Sequence, residues 1–250
     1  MRTFLFLLAT LPAAAAPCDS LQALKLPDTT ISLVQEVAEG AFTTPAAAGK
    51  QGNNDAFKGL PPFCRIAVTM KPSPDSDIKM ELWLPATGWN GNFLGTGNGG
   101  WTGSISAATL AGGLRRGYAV ANSDLGHDGG SASFALGHPE KVTDFAFRAT
   151  HEMTVKSKAL IKAFYGRDAK LNYFEGCSAG GRQAFQEAQR YPADYDGIVA
   201  GSPGVNWTGR SAQAVWIGQQ THKDDTTALP QAKFQARKDE LLNKYQLPQY

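Results

Sequence analysis

The sequence predicts an α/β fold, with a mostly parallel sheet that carries an antiparallel hairpin on its N-terminal side. From residue 92 onward, strand-like apolar segments alternate with helical segments, the order that builds parallel strand–helix–strand units. Before that point, two apolar segments at 64–71 and 78–84 flank the turn Pro-Ser-Pro-Asp and predict the hairpin. Residues 171–190 then predict a buried strand, a glycine-rich turn and a helix in direct succession.

Each element has its own signal. The second hairpin strand alternates apolar and polar residues, as expected for a strand with one packed face. Gly117 ends a short helix, and Pro230 suits the first position of another. The elements expected besides the hairpin are strands at 31–38, 92–96, 118–122, 171–175 and 195–202, and helices at 110–116, 144–165, 179–190, 211–220 and 230–245.

Length and composition indicate a globular chain. Its 250 residues are 42% hydrophobic and 18% charged, enough for one α/β domain with a sizeable core. The formal net charge is +2, and both signs are interspersed along the sequence. Because no basic stripe exists, we expect neither nucleic acid nor an anionic membrane surface as the main partner.

Residues 1–15 are predicted to be a signal peptide. Arg2 supplies the positive charge, residues 4–11 the apolar run, and residues 12–16 a small-residue exit with cleavage after Ala15. The apolar run is too short to span a bilayer. The protein is therefore expected to be secreted, extracellular or periplasmic, a setting in which disulfides form.

The central motif is Gly176-x-Ser178-x-Gly180, placed between the predicted strand and helix. A serine on such a sharp turn exposes its hydroxyl above the sheet, and small neighbours are needed where the backbones crowd together. The N-terminus of the following helix places free N–H groups and a positive dipole end beside any oxyanion. Ser178 is thus the candidate nucleophile, with an ordinary tight turn as the alternative.

Residues 176–183, Gly-Cys-Ser-Ala-Gly-Gly-Arg-Gln, resemble the signature of the tannase/feruloyl esterase family of secreted α/β-hydrolases. The stretches 123–128 and 144–154 agree with that family, and the likeness runs from about residue 17 to the end. The resemblance implies an α/β-hydrolase-like fold and a serine carboxylic ester hydrolase. Its substrate would be a small aromatic acid ester, feruloyl or galloyl, cleaved through an acyl-enzyme.

The glycine-rich stretch 97–103 follows the predicted strand at 92–96, and in α/β-hydrolases the loop after this strand contributes the second oxyanion donor. We assign the two donors to the backbone N–H groups of Ala179 and Gly100, with Gly99 as the near alternative to Gly100. The competing interpretation is a flexible loop that places Trp101 in the core. A phosphate-binding loop is disfavoured because no Lys-Ser/Thr follows the glycines.

The chain has three cysteines, so one is left over from any internal pair. Cys18 and Cys64 can tie the N-terminal arm to the first hairpin strand, a pairing that the resemblance also implies. In the family, the cysteine at the position of Cys177 bonds to one that directly precedes the catalytic histidine, and that partner does not occur in this sequence. The alternative is that Cys177 is a small buried residue that fits the turn.

Two polar residues at the C-terminal end of the strand at 118–122, Asp124 and His127, suggest a triad but precede the serine in the chain. This fold orders its triad as serine, acid and histidine, so we interpret both residues as structural groups around the oxyanion loop. His151 lies within a predicted helix and is likewise interpreted as structural.

Only one histidine, His222, follows Ser178. With Asp194 or Asp196 it would satisfy the chain order of a triad, which leaves an internal triad as an alternative. We favour a different interpretation, in which the chain is a fragment that lacks the acid, the histidine and most of the lid.

The domain organisation expected is a signal peptide at 1–15, the N-terminal part of a catalytic domain at 16–210 and the start of a lid at 211–250. No cofactor or metal site is expected in this chain, although calcium is possible in the missing part of the lid, as the resemblance implies. The rival functions are a serine peptidase of the same fold and a non-catalytic secreted homologue or binding module.

Overall fold

A seven-stranded mixed sheet organises the first of two units, Met1–Gly204 and Val205–Tyr250, in this computed structural model. Residues 15–44, 54–223 and 230–245 are described. The predicted signal peptide therefore falls outside the described residues except for Ala15. Among the described residues, no helix combines the length and the apolar character that crossing a membrane requires.

The sheet order is β1-β2-β3-β5-β4-β6-β7. The strands are β1 Thr29–Val37, β2 Phe63–Met70, β3 Ile78–Pro85, β4 Phe93–Thr96, β5 Ala119–Ser123, β6 Asn172–Cys177 and β7 Gly197–Gly201. β5, β4, β6 and β7 run parallel, whereas β1, β2 and β3 pair antiparallel and β3 joins β5 antiparallel. The predicted α/β class with an N-terminal antiparallel hairpin is confirmed, and β1 extends the hairpin to three strands.

The helices of the first unit are α1 Ala107–Arg115, α2 Pro139–Thr143, α3 Ala149–Tyr165 and α4 Ala179–Arg190, and those of the second are α5 Trp207–Thr221 and α6 Gln231–Lys244. α4 matches its predicted range. The helix predicted at 144–165 instead begins earlier, with α2, and passes through one π-helical segment, Asp144–Arg148, before α3. α3 ends at Gly166, whose φ of 67° is the left-handed conformation that closes many helices.

Apolar side chains fill both faces of the sheet. On β3, Met80 and Leu82 belong to the cluster that includes Ile161 of α3, whereas Trp83 belongs to the cluster that includes Leu110 of α1. This alternation follows from the two-residue period of a strand. With a helix packed on each face, the carboxyl ends of the parallel strands are the edge where α/β sheets bind ligands.

A disulfide joins Cys18 to Cys64, with 5.6 Å between their Cα atoms. It connects the 3₁₀ helix Cys18–Ala23 to β2, the pairing that the resemblance implies. The bond closes a loop of 46 residues in sequence separation and so restricts the unfolded chain.

Glu187 of α4 carries a fully buried carboxyl group. Asp194 lies beside it, and Asp194 in turn pairs with the His151 Nδ1 atom at 2.6 Å. Burial raises the pKa of Glu187 to about 8, the charge of Asp194 adds to the rise, and Lys158 opposes it. Only when protonated can Glu187 donate to Asp194.

This buried acid predicts a pH-dependent stability. The native chain holds a proton on Glu187 between its ordinary pKa of 4.5 and about 8, while the unfolded chain has released it. Stability therefore falls as the pH rises through that window. Glu187→Gln, which imitates the protonated acid, is expected to match the wild type below pH 4.5 and exceed its unfolding free energy by about 1–3 kcal/mol above pH 8.

Urea denaturation at several pH values measures this difference. Glu39→Gln, which changes an exposed carboxylate, is the control and should give a small difference. A stability difference between Glu187→Gln and wild type that stays constant from pH 4 to pH 9 would contradict the assignment.

Candidate active site

Ser178 lies on the sharp turn between β6 and α4, and its side chain is exposed. Its φ of 61° and ψ of −113° lie outside the regions that L-residues normally populate. The turn is held by backbone hydrogen bonds: the Ser178 N–H donates to Gly201 O at 3.0 Å, and the Ser178 carbonyl accepts from Gly204 N–H at 3.0 Å. Such strain is stored where the surrounding structure over-determines it, and it clusters at functional sites.

The glycines of the motif are required by close backbone contacts. A Cβ atom at Gly176 would lie 2.4 Å from Gly180 O, and one at Gly181 would lie 2.5 Å from Gly201 O. No side chain fits at these distances, since the neighbouring atoms are backbone. The first turn of α4 can therefore pack against β6 and against the end of β7 only with hydrogen at positions 176 and 181.

The glycine stretch packs directly on this first turn. A Cβ atom at Gly97 would lie 2.6 Å from the Cα of Gly180, and one at Gly180 would lie 3.1 Å from Asn98 O. By contrast, Gly99 and Gly100 have no atom within 4 Å of such a Cβ, and both residues are exposed. The loop thus touches the nucleophile turn at its base and opens to solvent at its tip.

Most of the loop N–H groups are engaged. The N–H of Gly97 donates to Glu175 O, that of Asn98 to Gln183 Oε1, and that of Thr102 to Gly99 O. The N–H groups of Gly99 and Gly100 donate to none of the hydrogen bonds seen in the described chain. These two N–H groups are therefore not engaged by the described chain, and the choice between them as the oxyanion donor stays a prediction.

The other predicted donor, the Ala179 N–H, is the first of α4. The first four N–H groups of a helix have no partner within it. The positive end of the helix dipole adds to their attraction for a developing negative charge. The Ala179 N–H therefore lies at the helix end that directly follows the exposed Ser178.

The loop residue Trp101 does not enter the core, since it is 41% exposed, so the alternative of a core-anchoring loop is wrong. Its ring stacks on Phe145 of the π-helical segment, with centroids 5.3 Å apart. The guanidinium group of Arg182, in α4, lies over the Phe145 ring, 4.9 Å from its centroid. The same side chain donates hydrogen bonds to the backbone carbonyls of Phe145 and Ala146. Phe145 therefore connects the glycine loop to the nucleophile helix.

His127 and Asp124 differ in their contacts. The ring Nε2 of His127 lies 2.8 Å from Trp101 O, so His127 does support the glycine loop. The Asp124 carboxylate accepts instead from the N–H groups of Lys79 and Gly126, at 2.9 and 2.8 Å. Burial raises the pKa of Asp124 to about 6, although these two hydrogen bonds oppose the rise. Asp124 thus orders its own loop against β3 rather than the glycine stretch.

His151 forms a hydrogen-bonded pair with Asp194 at 2.6 Å, the arrangement of a base and its orienting acid. Its ring stacks on Tyr191, which follows the last residue of α4, with centroids 3.8 Å apart. α4 has 12 residues, so its two ends lie roughly 18 Å apart. His151 is therefore at the wrong end of the helix to take a proton from Ser178.

His222 belongs to the second unit, where its Nδ1 atom lies 2.9 Å from Thr221 Oγ1 and 3.1 Å from Gly218 O. It follows the last residue of α5 as a helix-capping group. Asp196, one candidate acid for a triad, accepts from the N–H of Asn172 at 2.7 Å, which lowers its pKa.

Cys177 is exposed and unbonded, which contradicts the alternative of a buried packing residue. It lines a cleft of about 320 Å³ beside the serine turn, together with Gly97, Thr109, Glu175, Gly176, Val199 and Gly201. A larger cavity of about 560 Å³ lies elsewhere, at the N-terminal disulfide, and contains none of the candidate active-site residues.

Calcium, the metal that the resemblance implies for the lid, has no fitting ligand set in the described residues. These contain no group of three or more His, Cys, Asp or Glu side chains that could hold a metal ion. We derive no step through calcium.

Gln183 and Arg182 are functional candidates that the sequence analysis did not identify. Gln183 and Glu187 lie on the buried face of α4, where polar residues at a spacing of four are unusual. The four-residue spacing of Gln183 and Glu187 is the sequence signal that could have identified Gln183.

The chain is similar in sequence to a known family of esterases. The family model for tannase and feruloyl esterase matches residues 64–244. An uncharacterised esterase of Xanthomonas campestris is 38% identical over 92% of this chain and 39% of its own length. A probable feruloyl esterase B of Aspergillus clavatus is 35% identical over 97% of this chain and 48% of its own length.

Among solved structures, the crystal structure of feruloyl esterase B from Aspergillus oryzae superposes with a TM-score of 0.72 at 34% identity. The match covers 82% of this chain and 40% of that one. The chain thus spans less than half the length of each of these relatives.

Proposed function

This chain belongs to the tannase and feruloyl esterase family, and on that premise we propose that it carries the nucleophile and oxyanion hole of a carboxylic ester hydrolase. The substrates are small esters of aromatic acids, of the feruloyl or galloyl type. The predicted signal peptide supports a site of action outside the cytoplasm.

In the proposed mechanism, the Ser178 hydroxyl attacks the ester carbonyl carbon and loses its proton to a general base. The carbonyl oxygen becomes an oxyanion that accepts hydrogen bonds from the N–H groups of Ala179 and Gly100. Collapse of this intermediate expels the alcohol and leaves the acyl group on Ser178. Water then attacks the acyl-enzyme and releases the aromatic acid.

The general base and its acid are part of the same proposal. In the first unit, His127, His138 and His151 are paired with Trp101 O, Asp75 and Asp194, so none of these hydrogen bonds reaches Ser178. The relatives are about twice as long as this chain or longer, since the match covers 39% and 48% of them. We assign the histidine and its acid to a segment that such a longer protein contains.

One observation carries the proposal. An exposed serine with φ of 61° is held between a parallel strand and a helix N-terminus, and a glycine loop with two open N–H groups packs on the same turn. These features support the proposal, because acyl transfer needs donors about 3 Å from the oxyanion that forms beside the nucleophile.

Covalent labelling tests the nucleophile. The natural protein that carries this sequence is treated with a fluorophosphonate, digested and mapped by mass spectrometry, and we expect one adduct, on Ser178. An adduct on a different residue, with Ser178 unmodified, would overturn the proposal.

A substrate pair separates the family activity from a peptidase of the same fold. We expect hydrolysis of methyl ferulate and no hydrolysis of the matched ferulic acid amide at equal concentration. Faster turnover of the amide would favour the peptidase, and protein that is neither labelled nor active would favour a non-catalytic homologue.

A further inference from the structure

We propose that Gln183 is a positioning residue that holds the oxyanion loop against the nucleophile helix. The inference rests on the proposed function, since it assigns a role to Gln183 in the same site. Gln183 does not touch the reacting atoms and acts through Asn98.

The contact is direct. The side-chain Oε1 of Gln183 accepts a hydrogen bond from the Asn98 N–H at 3.0 Å, across 85 positions of sequence. Gln183 is 1% exposed and lies in the second turn of α4, the helix that begins immediately after Ser178. The hydrogen bond therefore links the glycine loop to the element that fixes the serine.

Asn98 is anchored on its other side as well. Its Nδ2 donates to Ser123 O at 2.8 Å, at the end of β5, and to Ser104 O at 3.1 Å, beyond the glycine stretch. Asn98 is thus bound to α4, β5 and the far end of the loop at once. Gly99 and Gly100, whose N–H groups are open, follow Asn98 directly in the chain, so the position of Asn98 restricts theirs.

The hydrogen bond between Gln183 and Asn98 lies in closely packed surroundings. A Cβ atom at Gly97 would lie 2.7 Å from the Gln183 Oε1. The amide carbonyl therefore fills the space beside the loop backbone, and only glycine at 97 lets Gln183 approach Asn98. The same contact occupies the Asn98 N–H, so Asn98 is not itself an oxyanion donor.

Packing alone does not explain a glutamine here. The Gln183 Nε2 is buried and has no hydrogen-bond partner, which is unfavourable for a buried donor. An apolar side chain of the same length would fill the volume without that penalty. The single hydrogen bond made by Oε1 is the feature that such a side chain would lack.

Loosening this contact should act on the transition state. An oxyanion donor is effective only at hydrogen-bond distance from the developing charge, and loss of one donor lowers kcat about 10²–10³-fold. Gln183→Met would displace Gly99 and Gly100 without removing either donor. We therefore expect a smaller loss of kcat, roughly 10–100-fold. The KM should change little, because the ground-state ester does not depend on these hydrogen bonds.

The test compares Gln183→Met with Gln189→Met, an exposed position on the same helix, in the natural protein that carries this sequence. Each variant is assayed on methyl ferulate and on the matched thionoester, whose sulfur accepts hydrogen bonds more weakly than oxygen. We expect Gln183→Met to lower kcat on the ester by about 10–100-fold and to shrink the ester-to-thionoester ratio. Gln189→Met should change neither.

If the role of Gln183 were purely structural, kcat would fall by the same factor on the ester and on the thionoester, because fewer molecules would be folded. An unchanged ester-to-thionoester ratio of kcat would therefore overturn the proposal. Failure of the proposed function is separately visible, since hydrolysis would then persist in a Ser178→Ala protein.

A second measurement does not need a folded variant. In wild-type protein, hydrogen exchange should be slow at the Asn98 amide and fast at the amides of Gly99 and Gly100. Exchange at Asn98 as fast as at Gly99 would show that the contact is not formed and would overturn the proposal.

Discussion

Replacement of Ser178 by alanine is expected to lower ester turnover by about 10⁴–10⁶-fold. The substitution removes the only atom proposed to bond with the acyl carbon, while the donors at Ala179 and Gly100 remain. Residual activity above the uncatalysed rate is expected, because oxyanion stabilisation and substrate binding survive loss of the nucleophile. Initial rates on methyl ferulate at saturating substrate measure the effect.

The fold should tolerate this change, since the Ser178 side chain is exposed. Ser32→Ala is the matched control, because Ser32 lies on β1, at the opposite edge of the sheet from β7. We expect Ser32→Ala to retain wild-type turnover. A Ser178→Ala protein with turnover within 10-fold of wild type would remove Ser178 from the mechanism.

Gly176→Ala is expected to destabilise the fold by about 3 kcal/mol and to abolish activity with it. The added methyl would lie 2.4 Å from Gly180 O, 2.5 Å from its carbonyl carbon and 2.8 Å from its Cα. All three are backbone atoms in the first turn of α4, so relief requires β6 and α4 to separate. For a chain of this length, the melting temperature should fall by roughly 6–12 °C.

Gly112→Ala in α1 is the control for this substitution. No atom lies within 4 Å of a Cβ atom there, and the residue is helical. Alanine is expected to stabilise α1 by about 0.5–1 kcal/mol because it restricts the unfolded chain. The melting temperature is therefore expected to fall in Gly176→Ala and to rise in Gly112→Ala. A stable, active Gly176→Ala protein would contradict the packing argument.

The sequence predicted the elements whose signals are local. α4 and the turn before it follow from glycine spacing, and β3 follows from its alternation. The start of the helix predicted from residue 144 was wrong, because α2 precedes that residue and the π-helical segment Asp144–Arg148 joins α2 to α3. β1 was placed within two residues of its observed start, but its pairing to β2 could not be read from apolar density alone.

The candidate site also has a part that local sequence predicts and a part that it does not. Ser178 and the glycine loop are backbone features, so residue type and spacing predict them. The contact between Gln183 and Asn98 joins positions 85 residues apart, and the contact of Arg182 with the Phe145 carbonyl joins positions 37 apart. Both depend on how α4 packs against a loop and a π-helical segment, which no local pattern specifies.

The backbone conformation of Ser178 also bears on how this protein and its relatives evolve. A non-glycine residue at φ of 61° and ψ of −113° burdens the native state by on the order of 1–3 kcal/mol. Glycine there would relieve that burden, so selection for stability alone opposes serine at this position. On the proposed role of Ser178, relatives that have lost esterase activity are therefore expected to replace this serine more often than active relatives do.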